Sequence, residues 1–180
     1  PLLPALLCET RAALPAGAML AVAHEKIGQQ HLAESITLVQ GDALHLSFPD
    51  ESFDMATIAF GIRNVPDVAA ALHELERVLK PRGTLIILEF SLPSNSLLRR
   101  AYLMYFRHVL PVIGGIISGN RTAYTYLNQS VEAFPFGSAM CRIIETAGFT
   151  QAKSYPQTLG IATLYVAQKP RPTEGEGNRG

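Results

Sequence analysis

The 180-residue sequence, 48% hydrophobic and 17% charged, is long enough for one compact domain with its own core. Lys plus Arg and Asp plus Glu balance at 15 each, which excludes the basic footprint of a nucleic-acid binder and an acidic tail aimed at a basic partner. Cys8 and Cys141 lie far apart and outside any His-bearing cluster, so neither a zinc site nor a disulfide framework is expected, no metal is called for, and a reducing cytoplasmic setting fits.

The chain opens at Pro1, and its first residues lack the basic flank and long apolar run of a signal peptide, so no address is read there. Over Met19 to Leu32, apolar Leu20, Ala23 and Ile27 recur among polar residues, as in a helix packed on a sheet. Ile36 to Gln40 reads as a strand ending in the turn Gly41-Asp42-Ala43, and Phe53 to Phe60 as a short buried parallel strand. Asp67 to Leu79 is the clearest helix, with Val68, Leu72, Leu75 and Leu79 on one stripe and Pro81 and Gly83 stopping it. Thr84 to Phe90 is a strand apolar on both faces, as expected where helices cover a sheet on both sides, so the alternation is βαβ-like and the fold class α/β.

Beyond Ser91 the pattern turns helical, over Ser96 to Arg107, Thr122 to Phe134 and Gly137 to Ala147. Strands near Phe149 to Tyr155 and Ile161 to Gln168 then suit a terminal antiparallel hairpin. Tyr102 to Gly119 is the most apolar window, but Arg107, His108, Pro111 and paired glycines interrupt it, which favours a buried or membrane-touching segment over a spanning helix. Residues 170–180 are almost devoid of apolar side chains and are expected to form a disordered tail.

Sheets of this kind bind ligands at the carboxyl ends of their strands, so the polar residues found there are the candidates for chemistry. Asp42 offers a carboxylate to an adenine amino group, with small Ala43 beside it; the same pair also suits an Asx-type turn. Ala59-Phe60-Gly61-Ile62-Arg63-Asn64 places a glycine, a permanent cation and an amide at one sheet edge, although a surface ion pair for Arg63 and a turn cap for Asn64 is the plainer reading. Glu89, closing the next strand, reads better as a partner at the core edge than as a reacting group. The five histidines match no catalytic position.

The order of these words carries more than any one of them. GDA, FPDESFD, AFGIRN and RVLKPRGTLIILEFS, followed by YTYLNQS at Tyr124 to Ser130 and the Ala147-Gly148-Phe149 turn, resemble the ubiquinone/menaquinone biosynthesis C-methyltransferases over roughly Met19 to Lys169. Arg82 departs from the pattern, standing where glycine is usual in a turn that favours positive φ.

The resemblance implies a Rossmann-like class I methyltransferase sheet, N-terminally incomplete, in a single domain over residues 1–169 with a helical lid inserted at about 96–135. It implies S-adenosylmethionine as cofactor, contacted by Gly41, Asp42, Ala43, Ala59 and Phe60, and a polyprenylated quinol as substrate, methylated on a ring carbon. Arg63 and Asn64 would be the catalytic pair. A guanidinium holds its protons too firmly to act as a base, so Arg63 would stabilise phenolate charge or polarise a water that Asn64 orients. Tyr124 and Tyr126 would belong to the lid over the substrate, and Val109 to Ile117 would meet the isoprenoid tail or the bilayer surface from a peripheral position.

Aligned on Met19-Leu20, the family's ribose-binding acid falls at Leu14, and the thirteen residues before it do not accommodate the glycine-rich loop; Pro1 to Gly17 does not read as the expected strand. Other readings therefore stay open: a methyltransferase acting on another lipid-like acceptor, or a cofactor-free remnant kept as an assembly partner. The resemblance leaves open whether the chain works as a homodimer or within a biosynthetic complex.

Overall fold

The computed structural model describes the backbone of residues 10–14, 17–112 and 121–171, and the side chains of these outside 10–18 and 121–126. The expected tail from residue 172 onward and the apolar stretch 113–120 lie outside the described residues. The chain divides between Phe48 and Pro49 into two compact units.

The first unit is a parallel βαβ: strand β1 (Thr10–Leu14), helix α1 (Gly17–Gln29) and strand β2 (Ile36–Gln40), in register from Thr10 against Ile36 to Leu14 against Gln40. Strand β1 corrects the reading of Pro1 to Gly17 as non-strand. Thr-Arg-Ala-Ala-Leu has little β propensity of its own, and what makes it a strand is the ladder offered by Ile36–Gln40, more than twenty residues away. Helix α1 ends three residues before the expected Leu32, because His31 turns left-handed at φ 56 and Leu32 N–H closes back on the Ile27 carbonyl at 3.0 Å.

The second unit holds a four-stranded sheet in the order β3-β4-β6-β5. Strand β3 (Phe53–Ala59) runs parallel to β4 (Leu79–Phe90), while β6 (Ala162–Gln168) is antiparallel to both β4 and β5 (Thr150–Gln157). The terminal hairpin is therefore present, with β6 inserted beside β4. Between β3 and β4 lie a 3₁₀ turn (Ile62–Asn64) and helix α2 (Val68–Val78), whose first turn is capped by the Asp67 carboxylate accepting from Ala70 N–H at 2.9 Å. Helix α2 buries Ala71, Leu72, Leu75 and Val78.

Strand β4 begins at Leu79 rather than Thr84, but its ladder jumps from Phe53↔Leu79 to Met55↔Thr84, so Lys80 to Gly83 bulge out between. Arg82 occupies that bulge at φ 68, the backbone region expected from the glycine it replaces, and a Cβ on Gly83 would meet the Lys80 carbonyl at 2.7 Å. Past the bulge Leu85, Ile87 and Glu89 are buried and alternate with half-buried Thr84, Ile86, Leu88 and Phe90. Their row meets Tyr165 and Ala167 of β6 within a core that includes Met140, Ile144 and Phe149. Each large apolar side chain so buried contributes about 1.5 to 3 kcal/mol.

Helix α3 (Ser96–Met104) passes into a π-helical turn over Tyr105–Val109, where Leu110 N–H reaches back to the Tyr105 carbonyl. Asn128, buried on helix α4 (Arg121–Ala133), donates to the Phe106 carbonyl at 2.5 Å and secures that turn. Helix α5 (Ser138–Thr146) follows and leads into β5.

Candidate functional site

The parity of β4 creates the site. Glu89 falls on the strand's buried face, in line with Leu85 and Ile87, and is 1% exposed. A carboxylate there needs a cation and donors, since water cannot solvate it. Both come from the neighbouring strand end. The buried side chain of Ile62 anchors the 3₁₀ turn after β3, and that turn delivers Arg63. Its Nη1 donates to Glu89 Oε1 at 2.6 Å and to the Phe60 carbonyl at 2.8 Å, while Phe90 N–H donates to the same Oε1 at 2.9 Å. The Arg63 N–H faces Glu89 Oε2 at a longer 3.4 Å.

Two aromatic rings complete the setting. The Arg63 guanidinium carbon lies 5.3 Å from the centre of the Phe90 ring, and Phe60 packs against the same ring at 4.5 Å between centroids. Phe60 itself is strained, at φ 54, although its N–H still extends the ladder to the Leu88 carbonyl at 2.8 Å. Arg63 Nε is buried and finds no acceptor among the described residues. The expected surface ion pair for Arg63 is thus an ion pair, but a buried one, with the arginine side chain 9% exposed.

Behind Glu89 the carboxyl end of β4 continues into a buried polar cluster. Ser91 Oγ donates to the Gly160 carbonyl at 2.8 Å and shares a hydrogen bond with Thr163 Oγ, also at 2.8 Å. Burial pushes the Tyr165 phenol above its ordinary range; the hydrogen bonds it makes with Gly137 N–H and with Thr163 offset this only in part.

The structure brings Phe60 and Arg63 together with Glu89 and Phe90. Ala59 is the exposed last residue of β3, and Asn64 is exposed at the end of the 3₁₀ turn, its N–H bonded to the Gly61 carbonyl at 3.0 Å. Gly41, Asp42 and Ala43 belong to the first unit, just after β2, where Asp42 Oδ1 accepts from Leu44 N–H at 3.0 Å. The Asx-type turn is therefore formed. That turn engages one carboxylate oxygen and leaves the acceptor chemistry of the other suited to an exocyclic amine, so the adenine side of the expected cofactor fits these residues. Position 14, the last of β1, where the resemblance puts the ribose-binding acid, is leucine and offers no side-chain acceptor. Tyr124 and Tyr126 lie on α4, with side chains outside the described residues. Glu89 is the core-edge partner that its place in the sequence suggests, here of Arg63, and Phe90 beside it was not singled out; the signal is an acid closing an otherwise apolar strand on its buried parity.

A family model described as the ubiE/COQ5 methyltransferase family matches residues 15–169. The demethylmenaquinone methyltransferase of Deinococcus radiodurans is 44% identical over 151 residues, 84% of this chain and 61% of that protein. Its counterpart from Thermus thermophilus is 45% identical over 152 residues, 84% of this chain and 68% of that protein. The ubiquinone/menaquinone biosynthesis C-methyltransferase UbiE of Teredinibacter turnerae is 42% identical over 84% of this chain and 61% of its own. The chain thus spans about three fifths of the length of most of these curated relatives. Among solved structures, a SAM-dependent methyltransferase from Aquifex aeolicus aligns over 88% of this chain and 67% of its own, with TM-score 0.60 and 16% identity. The phosphoethanolamine N-methyltransferase 2 of Haemonchus contortus, solved with S-adenosyl-L-methionine, aligns over 91% and 44%, with TM-score 0.62 and 16% identity. These two establish likeness of fold.

Proposed function

The chain belongs to the ubiE/COQ5 methyltransferase family, and from that premise we propose that it takes part in S-adenosylmethionine-dependent C-methylation of a polyprenylated quinol, demethylmenaquinol or 2-polyprenyl-6-methoxybenzoquinol. The observation that carries this reading is the Arg63 guanidinium held at the carboxyl end of β3 and β4, paired on one edge and with a buried Nε–H that has no acceptor among the described residues. Ring methylation of a quinol needs a donor for the phenolic oxygen as it gains negative charge, and a preorganised cation in a dry setting meets that need better than one in water.

The chemistry supplied by bound S-adenosylmethionine is an electrophilic methyl group on a sulfonium. Asp42 and Ala43 of the first unit would hold its adenine side. Arg63 would stabilise the developing phenolate, directly or through a water whose proton it makes easier to remove, and Asn64 would orient that oxygen. Tyr124 and Tyr126 belong, on this reading, to the lid.

Support for the long apolar substrate comes from the helical segment after β4. Leu97, Met104, Tyr105, Val109 and Val112 are exposed there, together with Arg100 and His108, and no acidic residue lies between Ser96 and Val112. Among the described residues no helix is long and apolar enough to cross a membrane, so we read this segment as meeting the isoprenoid tail at the cytoplasmic face of the bilayer, in a peripheral position.

Transfer of a labelled methyl group to long-chain and short-chain demethylmenaquinols tests the proposal. Labelled product from both is expected, and replacing exposed Met104 and Val109 by serine should reduce use of the long-chain quinol more than the short-chain one. Absence of transfer to either quinol, with cofactor binding verified by calorimetry, overturns the substrate assignment. Absence of cofactor binding would instead favour the assembly-partner reading, which Leu14 at the ribose position supports.

A further inference from the structure

We propose that Glu89 is the positioning residue of this site: its buried carboxylate holds one edge of the Arg63 guanidinium so that the Nε–H stays uncommitted and aligned for the phenolic oxygen. The inference rests on the reading of Arg63 given above and extends it to a residue that touches neither substrate nor cofactor.

Three observations support it. Glu89 grips Arg63 at both its side chain and its backbone, through Oε1 to Nη1 at 2.6 Å and Oε2 to the backbone N–H at 3.4 Å, and is itself fixed by Phe90 N–H at 2.9 Å. An ion pair that served stability alone would gain most from the two-pronged guanidinium–carboxylate arrangement. Here Nη1 alone engages the carboxylate and shares its donor capacity with the Phe60 carbonyl, while Nε, nine-tenths buried with its side chain, has no acceptor among the described residues. A buried donor left without a partner is uncommon and marks a place where an oxygen from outside the protein completes the network.

The third observation is strain. The carbonyl that shares Nη1 belongs to Phe60, a non-glycine residue at φ 54, so the Glu89–Arg63 contact also holds the left-handed turn at the end of β3. Glu89 therefore sets the position of both the cation and the backbone beside it. Phe90, next in sequence to Glu89, lies under the guanidinium and limits its swing.

The test compares Glu89→Gln, Glu89→Asp and Arg63→Met in the full chain, reading methyl transfer to a short-chain demethylmenaquinol and the NMR signals of arginine Nε–H groups. Glu89→Gln should lower kcat by at least about tenfold with little change in KM, Glu89→Asp should recover part of that loss, and Glu89→Gln should cause no further loss on top of Arg63→Met. In Glu89→Gln the distinct Arg63 Nε–H signal should move into the envelope of solvent-exposed arginines. Losses that multiply in the double variant, or an unmoved Nε–H signal, overturn the proposal. If Arg63→Met leaves kcat intact, the catalytic reading of Arg63 fails, and the NMR arm, which needs no turnover, still decides whether Glu89 orients the guanidinium. Should Glu89→Gln fail to fold, Glu89→Asp carries the same comparison, because it keeps the charge and withdraws the carboxylate by one methylene.

Discussion

Strands β3 and β4 are bridged by an ion pair at each end, and the two pairs are alike in length and opposite in setting. At the amino ends, Lys80 Nζ reaches both Asp54 oxygens at 2.9 Å, with side chains 45% and 85% exposed. At the carboxyl ends, Arg63 and Glu89 meet at 2.6 Å with 9% and 1% exposed. Water screens the first pair and can replace either partner, so it contributes at most about 1 kcal/mol. The second pair has little water to fall back on, and each charge there depends on the other. An open hollow of about 350 Å³ lies at the amino end, lined by Lys80, Arg82 and Gln168, whereas the site proposed above lies at the opposite end.

The sharpest way to break this contrast is Glu89→Ala, which strands the Arg63 guanidinium in the core. A loss of about 3 to 5 kcal/mol of folding stability is expected, read from the denaturant midpoint at constant m. A loss under about 1 kcal/mol would place the pair with its exposed counterpart. Arg63→Ala comes next: kcat for methyl transfer should fall by about a hundred- to a thousandfold, or about 2.7 to 4 kcal/mol, with cofactor affinity much less affected. Turnover at the unaltered rate would return Arg63 to a purely structural role.

Tyr165 extends the comparison to a buried neutral group beside the charged pair. Its phenol is raised above the ordinary tyrosine range by burial, so the neutral form is favoured in the fold. The linked stability is fully present below the ordinary tyrosine value of about 10 and is lost as pH rises through the higher folded value. Absorbance titration at alkaline pH should show Tyr165 among the last of the tyrosines to ionise, coincident with unfolding; ionisation at the ordinary value with the fold intact contradicts the assignment. The smallest effect is reserved for Asp54→Asn, expected to change stability by less than about 1 kcal/mol and to lose even that in high salt.

How much of this could be read from residues alone depends on the distance over which each feature is decided. Helix α2 was legible because its stripe of Val68, Leu72 and Leu75 and its Asp67 cap are properties of one short segment, and it lies within a residue of the expected bounds. The regular part of β4 was legible for the same reason, as was the left-handed turn at Arg82, since a family pattern with glycine there already declares the backbone it needs. The words AFGIRN and LEFS fall at the carboxyl ends of β3 and β4.

What local pattern could not decide was partnership. Strand β1 has no β-rich sequence and exists through its ladder with β2. The π turn at Tyr105–Val109 depends on Asn128, 22 residues from the carbonyl it engages. Arg63 and Glu89 are 26 residues apart, and only the parallel pairing of β3 with β4 makes them neighbours. Apart from β1 and the π turn, the sequence by itself therefore determined the elements, together with the family and the residue types at the strand ends. Tertiary structure decided which charge is desolvated and by what it is held, because burial and hydrogen-bond geometry arise from the packing of distant segments and leave no periodic trace along the chain.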